Sequence, residues 1–291
     1  MSTAEETAKA GTHPGHEEDR VHVEKEEGYA ILTLCDPARR NALSLEMAAE
    51  LLEVLSALEA TTSVRAVVVT GAPPAFCAGA DLTQLEAADA EGLRSIYAGF
   101  AHLATSRLFS VAAVNGAAVG AGMNMALACD VRLAAERASF DTRFLALGLH
   151  PGGGHTWMLR RAVSYSTAAA LVLGAQTVRG PEAARIGLAF RCVPDDELLV
   201  AARQLVVTAA GAPQELVARM KATLRAVQHE AREHAAHATG EDPALEQDQG
   251  GEDAAYREAL DHELVQQLWS VRQPYFADQV SALRRRISSR P

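Results

Sequence analysis

Two short segments of this chain place small residues where a strand meets a helix. They are AFCAGADL (75–82) and VNGAAVGAG (114–122). Small side chains let a ligand approach the main chain closely. Backbone N–H groups at the start of a helix point at whatever lies in front of it, and they favour negative charge there. One N–H from each segment, aimed at a common point, would hold a single developing oxyanion. Tight packing of a buried sheet also calls for small residues, so the two segments alone leave both readings open.

Histidines are the second group with chemistry to offer. His150 and His155 flank the glycine-rich stretch PGGG, beside an apolar helical pattern. An imidazole there could move a proton near neutral pH, or simply cap the helix. His229, His234 and His237 lie on a polar helical stretch with Glu230 and Glu233. In HEAREH the first two stand about 140° apart around a helix, which is not the four-residue spacing of a zinc protease; a solvated face is the simpler reading. GAAVGAG does not have the G-x-G-x-x-G spacing of a dinucleotide site, and GLHPGGGHT lacks the lysine of a phosphate-binding loop. The chain also lacks the G-x-S-x-G elbow of a serine hydrolase.

These segments need elements to hold them. Residues 21–34 alternate and then run apolar around Gly28, which predicts a hairpin. Ser44 caps an expected helix to about 60, and 64–70 (VRAVVVT) reads as a buried strand. Residues 71–80 read as a loop and 92–106 as a helix. Strand 110–114, turn 115–120 and helix 121–129 follow, then strands at 130–134 and 138–140. Helices are expected at 155–162, 164–173 and 181–187, and a strand at 189–193. From 195 the pattern is helical: 195–211, 213–230, 252–269 and 274–288, with an acidic, glycine-containing loop at 239–253. Strand, strand, helix, repeated, predicts an α/β protein with parallel strands.

Composition limits the function classes. The net charge of −10 and the lack of a basic cluster beyond Arg284–Arg286 argue against nucleic acid as a partner. Residues 109–129 carry no charge and are long enough to cross a membrane, but their glycines and asparagines and the lack of basic flanks favour a buried core. Cys35, Cys77, Cys129 and Cys192 are widely spaced in apolar settings, as expected of free thiols in a reducing, cytoplasmic compartment. Residues 1–20 show no apolar signal region and read as a disordered extension.

Taken in order, DPARRNALS, AFCAGADL, VAAVNGAAVGAGMNMALACDVRLAAERASF and LGLHPGGG resemble the crotonase, or enoyl-CoA hydratase/isomerase, superfamily over about residues 20–290. The resemblance implies a spiral of ββα units over 21–211 and a helical, trimerising region over 212–291. It implies a homotrimer or a dimer of trimers. It also implies an acyl-CoA thioester substrate whose enolate is stabilised, with coenzyme A as part of the substrate and no other cofactor or metal. Carried over by position, the oxyanion donors are the N–H groups of Ala78 and Ala121. Arg39 and Arg40 stand where coenzyme A phosphates or adenine are met, and Ala80, Asp81 and Leu82 lie along the adenine and pantetheine.

The hydratases of that family use two glutamates to hold one water. By position these fall at Asn124 and Phe144 here. An amide can hydrogen-bond a water but cannot take its proton, and a phenyl ring does neither. His150 is the first candidate to replace them, Asp141 the second, and His155 lies in the same region. Arg143 could meet a substrate carboxylate. Three functions fit: a hydratase or isomerase with a changed acid–base set, an acyl-thioester decarboxylase, and a non-catalytic acyl-CoA-binding protein.

Overall fold

The computed structural model describes residues 19–236 and 251–288. Most of the expected extension at 1–20, His237 and most of the acidic loop at 239–253 lie outside the described residues, as do the side chains of 226–236, 251–253 and 287–288.

The chain opens with a hairpin, β1 (Val21–Glu26) and β2 (Tyr29–Leu34), turning at Gly28, whose φ is 81°. Ser44 then caps α1 (Leu45–Ala60), its hydroxyl accepting from the Met47 N–H. Three turns of one pattern follow. In each, the first strand joins a six-stranded sheet, the second joins a four-stranded sheet, and a helix closes the turn. The first turn is β3 (Ala66–Gly71), β4 (Ala75–Cys77), α2 (Leu82–Ala87) and α3 (Ala90–Thr105). The second is β5 (Phe109–Val114), β6 (Ala117–Val119) and α4 (Ala121–Ala128). The third is β7 (Val131–Ala135), β8 (Ser139–Asp141) and α5 (His155–Ala162).

Next come α6 (Tyr165–Val172), β9 (Val178–Arg179), α7 (Gly180–Arg185) and β10 (Arg191–Val193). The chain then runs through α8 (Leu198–Ala210), α9 (Gln214–Ala236), α10 (Gly251–Val271) and α11 (Pro274–Ser288). The larger sheet has the order β1-β2-β3-β5-β7-β10 and is parallel except for the β1–β2 pair. All of β3 is buried, as expected of a parallel strand covered on both faces. The smaller sheet has the order β4-β6-β8-β9.

The α/β class and the repeated strand–strand–helix unit agree with the sequence reading. Two expectations need correction. The stretches read as a loop (71–80) and a turn (115–120) contain β4 and β6, and both belong to the second sheet. Each has three residues, too few for a period-two pattern to show. Residues 109–129 form β5, β6 and α4 in the core. Among the described residues no helix is long and apolar enough to cross a membrane.

Candidate active site

The N-terminus of α4 is the centre of the site. Gly120 precedes it at φ 50° with no side-chain cap, and Ala121 is its first residue. The Asn124 N–H donates to the Gly120 carbonyl at 3.0 Å, closing the first turn. The N–H groups before it in the helix have no intrahelical acceptor, as at any helix start. Gly122 lets this end approach β4. A Cβ there would lie 2.2 Å from the Cys77 carbonyl oxygen, so only hydrogen fits.

The loop after β4 runs beside this helix end. A Cβ on Gly79 would lie 3.9 Å from the Ala121 nitrogen. The loop is fixed from the far side by a parallel bridge between Leu43 and Ala80. In that bridge the Leu43 N–H donates to the Gly79 carbonyl at 2.8 Å, and the Asp81 N–H donates to the Leu43 carbonyl at 3.0 Å. Alternation along an extended chain then turns the N–H of Ala80 away from Leu43. Ala78 is different. Its N–H donates to the Arg40 carbonyl at 3.0 Å and is not open to a ligand in this structure. The structure therefore contradicts the expected free N–H at Ala78, and the N–H that the bridge turns away from Leu43 is that of Ala80, two residues further on.

The residues that the resemblance places on the coenzyme side are held as follows. Asp81 caps α2, accepting from the N–H groups of Thr83 (2.9 Å) and Gln84 (3.2 Å). It also pairs with Arg39 at 3.2 Å, and Arg39 pairs with Asp36 at 2.7 Å. Arg40 is exposed in the left-handed region at φ 54°, and Leu82 is half-buried at the first residue of α2.

The residues at the two glutamate positions and those expected to replace them separate into two groups. His150 turns back on its own loop: its Nδ1–H donates to the Pro151 carbonyl at 2.7 Å, and its backbone N–H donates to the Ser270 hydroxyl at 2.9 Å. Asp141 is buried and ion-paired with Arg143, whose Nε donates to it at 3.0 Å. In this structure the two charges are paired with each other. Asn124, His155 and Phe144, by contrast, form one buried cluster. The Asn124 amide donates through Nδ2 to the Gly152 carbonyl at 2.8 Å, and its Oδ1 lies 2.6 Å from Nδ1 of His155. The Phe144 ring meets the His155 ring edge to face, with centroids 4.9 Å apart. Burial pushes the His155 imidazole down from 6.5 to about 3, so it is neutral at physiological pH.

The last helices hold this cluster from above. Glu263 on α10 accepts from the N–H groups of His155 (2.9 Å) and Thr156 (2.8 Å) and from the Thr156 hydroxyl. Gln267, one turn on, accepts from the Tyr97 hydroxyl of α3 at 2.6 Å. The glycines of PGGG allow this contact: a Cβ on Gly152 would lie 2.2 Å from Gln267 Oε1. Sequence reading did not single out Glu263 or Gln267. Their i, i+4 spacing puts them on one helix face, and that was the one available signal. A separate apolar cavity of about 610 Å³ lies at the other end of α4, lined by Leu127, Trp157, Leu216, Met220 and Leu224 among others. Among the described residues no cluster of three or more metal-ligating side chains forms.

The fold and site define a class: strand–strand–helix turns that bring a helix N-terminus and a glycine-containing loop together. Residues 24–265 match the profile of the family described as enoyl-CoA hydratase/isomerase, and the chain belongs to that family of enzymes. A probable enoyl-CoA hydratase of Mycobacterium tuberculosis, echA14, is 47% identical over 212 residues, covering 72% of this chain and 82% of that protein. A short-chain-enoyl-CoA hydratase of Clostridium acetobutylicum is 35% identical over 192 residues, covering 64% of this chain and 74% of that protein. Among solved structures, an enoyl-CoA hydratase/isomerase from Xanthobacter autotrophicus Py2 superposes with a TM-score of 0.75 at 28% identity, covering 92% of this chain and 93% of that one. One from Pseudoalteromonas atlantica T6c has a TM-score of 0.78 at 24% identity, covering 92% and 98%, a likeness of fold.

Proposed function

We propose that this protein acts on acyl-CoA thioesters by gripping the thioester oxygen between the N–H groups of Ala80 and Ala121 and stabilising the enolate that forms. The observation that carries this reading is the contact of two main-chain segments. Gly79 lies against the Ala121 nitrogen, Ala121 opens a helix, and the Leu43 bridge turns the Ala80 N–H outward. Donors fixed in advance by a ladder and a helix need no reorganisation as charge develops, and one such donor contributes about 3–4 kcal/mol to the transition state. Hydration or isomerisation is the favoured chemistry. The decarboxylase alternative loses support because Arg143, its candidate carboxylate-binding cation, is already paired with Asp141. Coenzyme A enters as part of the substrate, and no other cofactor is invoked.

The coenzyme would pass along Ala80–Leu82 toward Arg39 and Arg40, with the acyl chain toward Asn124 and Phe144. A homotrimer or dimer of trimers in the cytoplasm, with contacts from residues 212–291, completes the reading. Exposed Leu216, Met220 and Leu224 on α9 supply an apolar face for it. Incubation with crotonyl-CoA, a 3-enoyl-CoA and a 3-carboxyacyl-CoA, followed by mass spectrometry and chromatography, tests the chemistry. Hydration adds the mass of water, isomerisation shifts retention without changing mass, and decarboxylation loses the mass of CO2. Binding of every thioester with turnover of none would overturn the enzyme reading in favour of a binding protein.

A further inference from the structure

The hydrogen bonds around Asn124 assign a tautomer to His155. A carbonyl can only accept, so the contact with the Gly152 carbonyl fixes the Asn124 NH2 on that side and leaves Oδ1 facing His155. His155 must then carry its proton on Nδ1. Its Nε2 is a bare lone pair, fully buried and without a hydrogen-bond partner among the described residues. A buried acceptor left unmatched costs about 1–3 kcal/mol, and groups retained at that cost point to function. The ring cannot swing away, because the main chain on one side is tied to Glu263 and Nδ1 on the other to Asn124.

Its position is equally specific. Asn124 lies three residues after Ala121, on the same face of α4. Phe144 connects the two ends of the cluster: its ring packs on His155, and its Cζ lies 3.9 Å from where a Cβ on Gly120 would stand. His155 is fully buried, so a substrate reaches Nε2 only if a neighbour such as the Phe144 ring shifts.

We propose that His155, positioned by Asn124, is the base and acid of this enzyme. The proposal rests on the enolate reading above. Nε2 takes a proton from the carbon next to the thioester carbonyl: that C–H bond breaks, an N–H bond forms, and the freed electron pair makes the enolate. The negative charge settles on the thioester oxygen at Ala80 and Ala121. Returning the proton to the same carbon restores the substrate; returning it to C4 of a 3-enoyl chain moves the double bond. The neutral resting imidazole suits this step. Its charge appears only together with the enolate anion, and opposite charges in a water-poor site stabilise each other strongly.

The test is exchange of the C2 hydrogens of butyryl-CoA in D2O, followed by NMR, with binding measured by calorimetry. The wild type is expected to exchange. His155→Gln is expected to bind butyryl-CoA within about threefold of wild type and to exchange at least about 100-fold more slowly. Asn124→Leu should lose exchange, and Asn124→Asp, which keeps an acceptor for Nδ1–H, should exchange at least about tenfold faster than the leucine variant. Thermal unfolding of each variant separates loss of the base from loss of the fold. Wild-type exchange in a folded His155→Gln overturns the proposal and leaves the enolate reading standing. Binding without exchange in the wild type also overturns it. Failure of the wild type to bind butyryl-CoA overturns the underlying reading instead. Equal rates in the two Asn124 variants remove Asn124 from the role.

Discussion

The carboxylate of Glu263 stands at the N-terminus of α5 and takes the N–H of His155 on one oxygen at 2.9 Å. The other oxygen takes the N–H and hydroxyl of Thr156. Gly154, the residue before α5, has no side chain with which to cap it. A residue 108 positions away therefore does what a serine or aspartate usually does locally. The negative charge also suits the positive end of the helix dipole. One contact thus closes the C-terminal helices onto the site and fixes the backbone that carries His155.

Glu263→Ala should destabilise the protein by about 3 kcal/mol, because it strips charge-assisted bonds from three donors, the buried N–H of His155 and the half-buried N–H and hydroxyl of Thr156. Glu263→Gln, with one good acceptor left, should cost about half as much. Urea unfolding at neutral pH measures both. Equal losses would mean that packing, not the cap, is what Glu263 provides.

Gly122→Ala should lower both stability and acyl-CoA turnover. The added methyl meets the Cys77 carbonyl oxygen at 2.2 Å, and main chain on both sides must move. Overpacking of this kind costs about 1–3 kcal/mol. The same movement shifts the Ala121 N–H away from the loop at Gly79. Ala121→Gly keeps the donor and creates no clash, so its turnover should stay within a few-fold of wild type. A catalytic loss in Ala121→Gly as large as in Gly122→Ala would count against this account.

The two main-chain segments of the candidate site are legible in the sequence, and what is not legible has physical causes. Both main-chain segments are visible because small residues and glycines leave a local signature. Which N–H is free is not visible. The choice between Ala78 and Ala80 is made by Arg40 and Leu43, through pairings of residues nearly forty positions apart. His150 and His155 look alike from the sequence, since each borders PGGG. Long-range partners separate them: Ser270 holds the His150 backbone, while Asn124 and Glu263 hold His155 inward. The second sheet was missed because β4 and β6 have only three residues each.

Stability should depend on pH through His155. Its imidazole is pushed from 6.5 to about 3 by burial, so below pH 6.5 the unfolded chain takes a proton that the folded chain refuses. The folded state is therefore penalised as pH falls from 6.5 toward 3, at up to about 1.4 kcal/mol per pH unit, and is unaffected above 6.5. Between pH 7 and pH 5 the wild type should lose about 2 kcal/mol more than His155→Gln. Urea unfolding of both proteins at the two pH values checks this. Identical losses would place the His155 imidazole in contact with water.

Proline substitution can separate the two candidate donors from each other and from the fold. Proline removes one N–H and is tolerated at the first residue of a helix, where that N–H has no intrahelical partner. Ala121→Pro should leave unfolding nearly unchanged and lower turnover by about 10²–10³. Ala80→Pro should behave alike, because the bridge to Leu43 uses the Gly79 carbonyl and the Asp81 N–H and not the N–H of Ala80. Ala78→Pro removes a bond already made to the Arg40 carbonyl, so its loss should appear in stability, by about 1–3 kcal/mol. Thermal unfolding and steady-state turnover on one thioester give the pattern directly. If Ala78→Pro loses turnover at full stability while Ala80→Pro stays active, the donor assignment reverses. The Ala78–Arg40 bond would then have to open when the thioester binds.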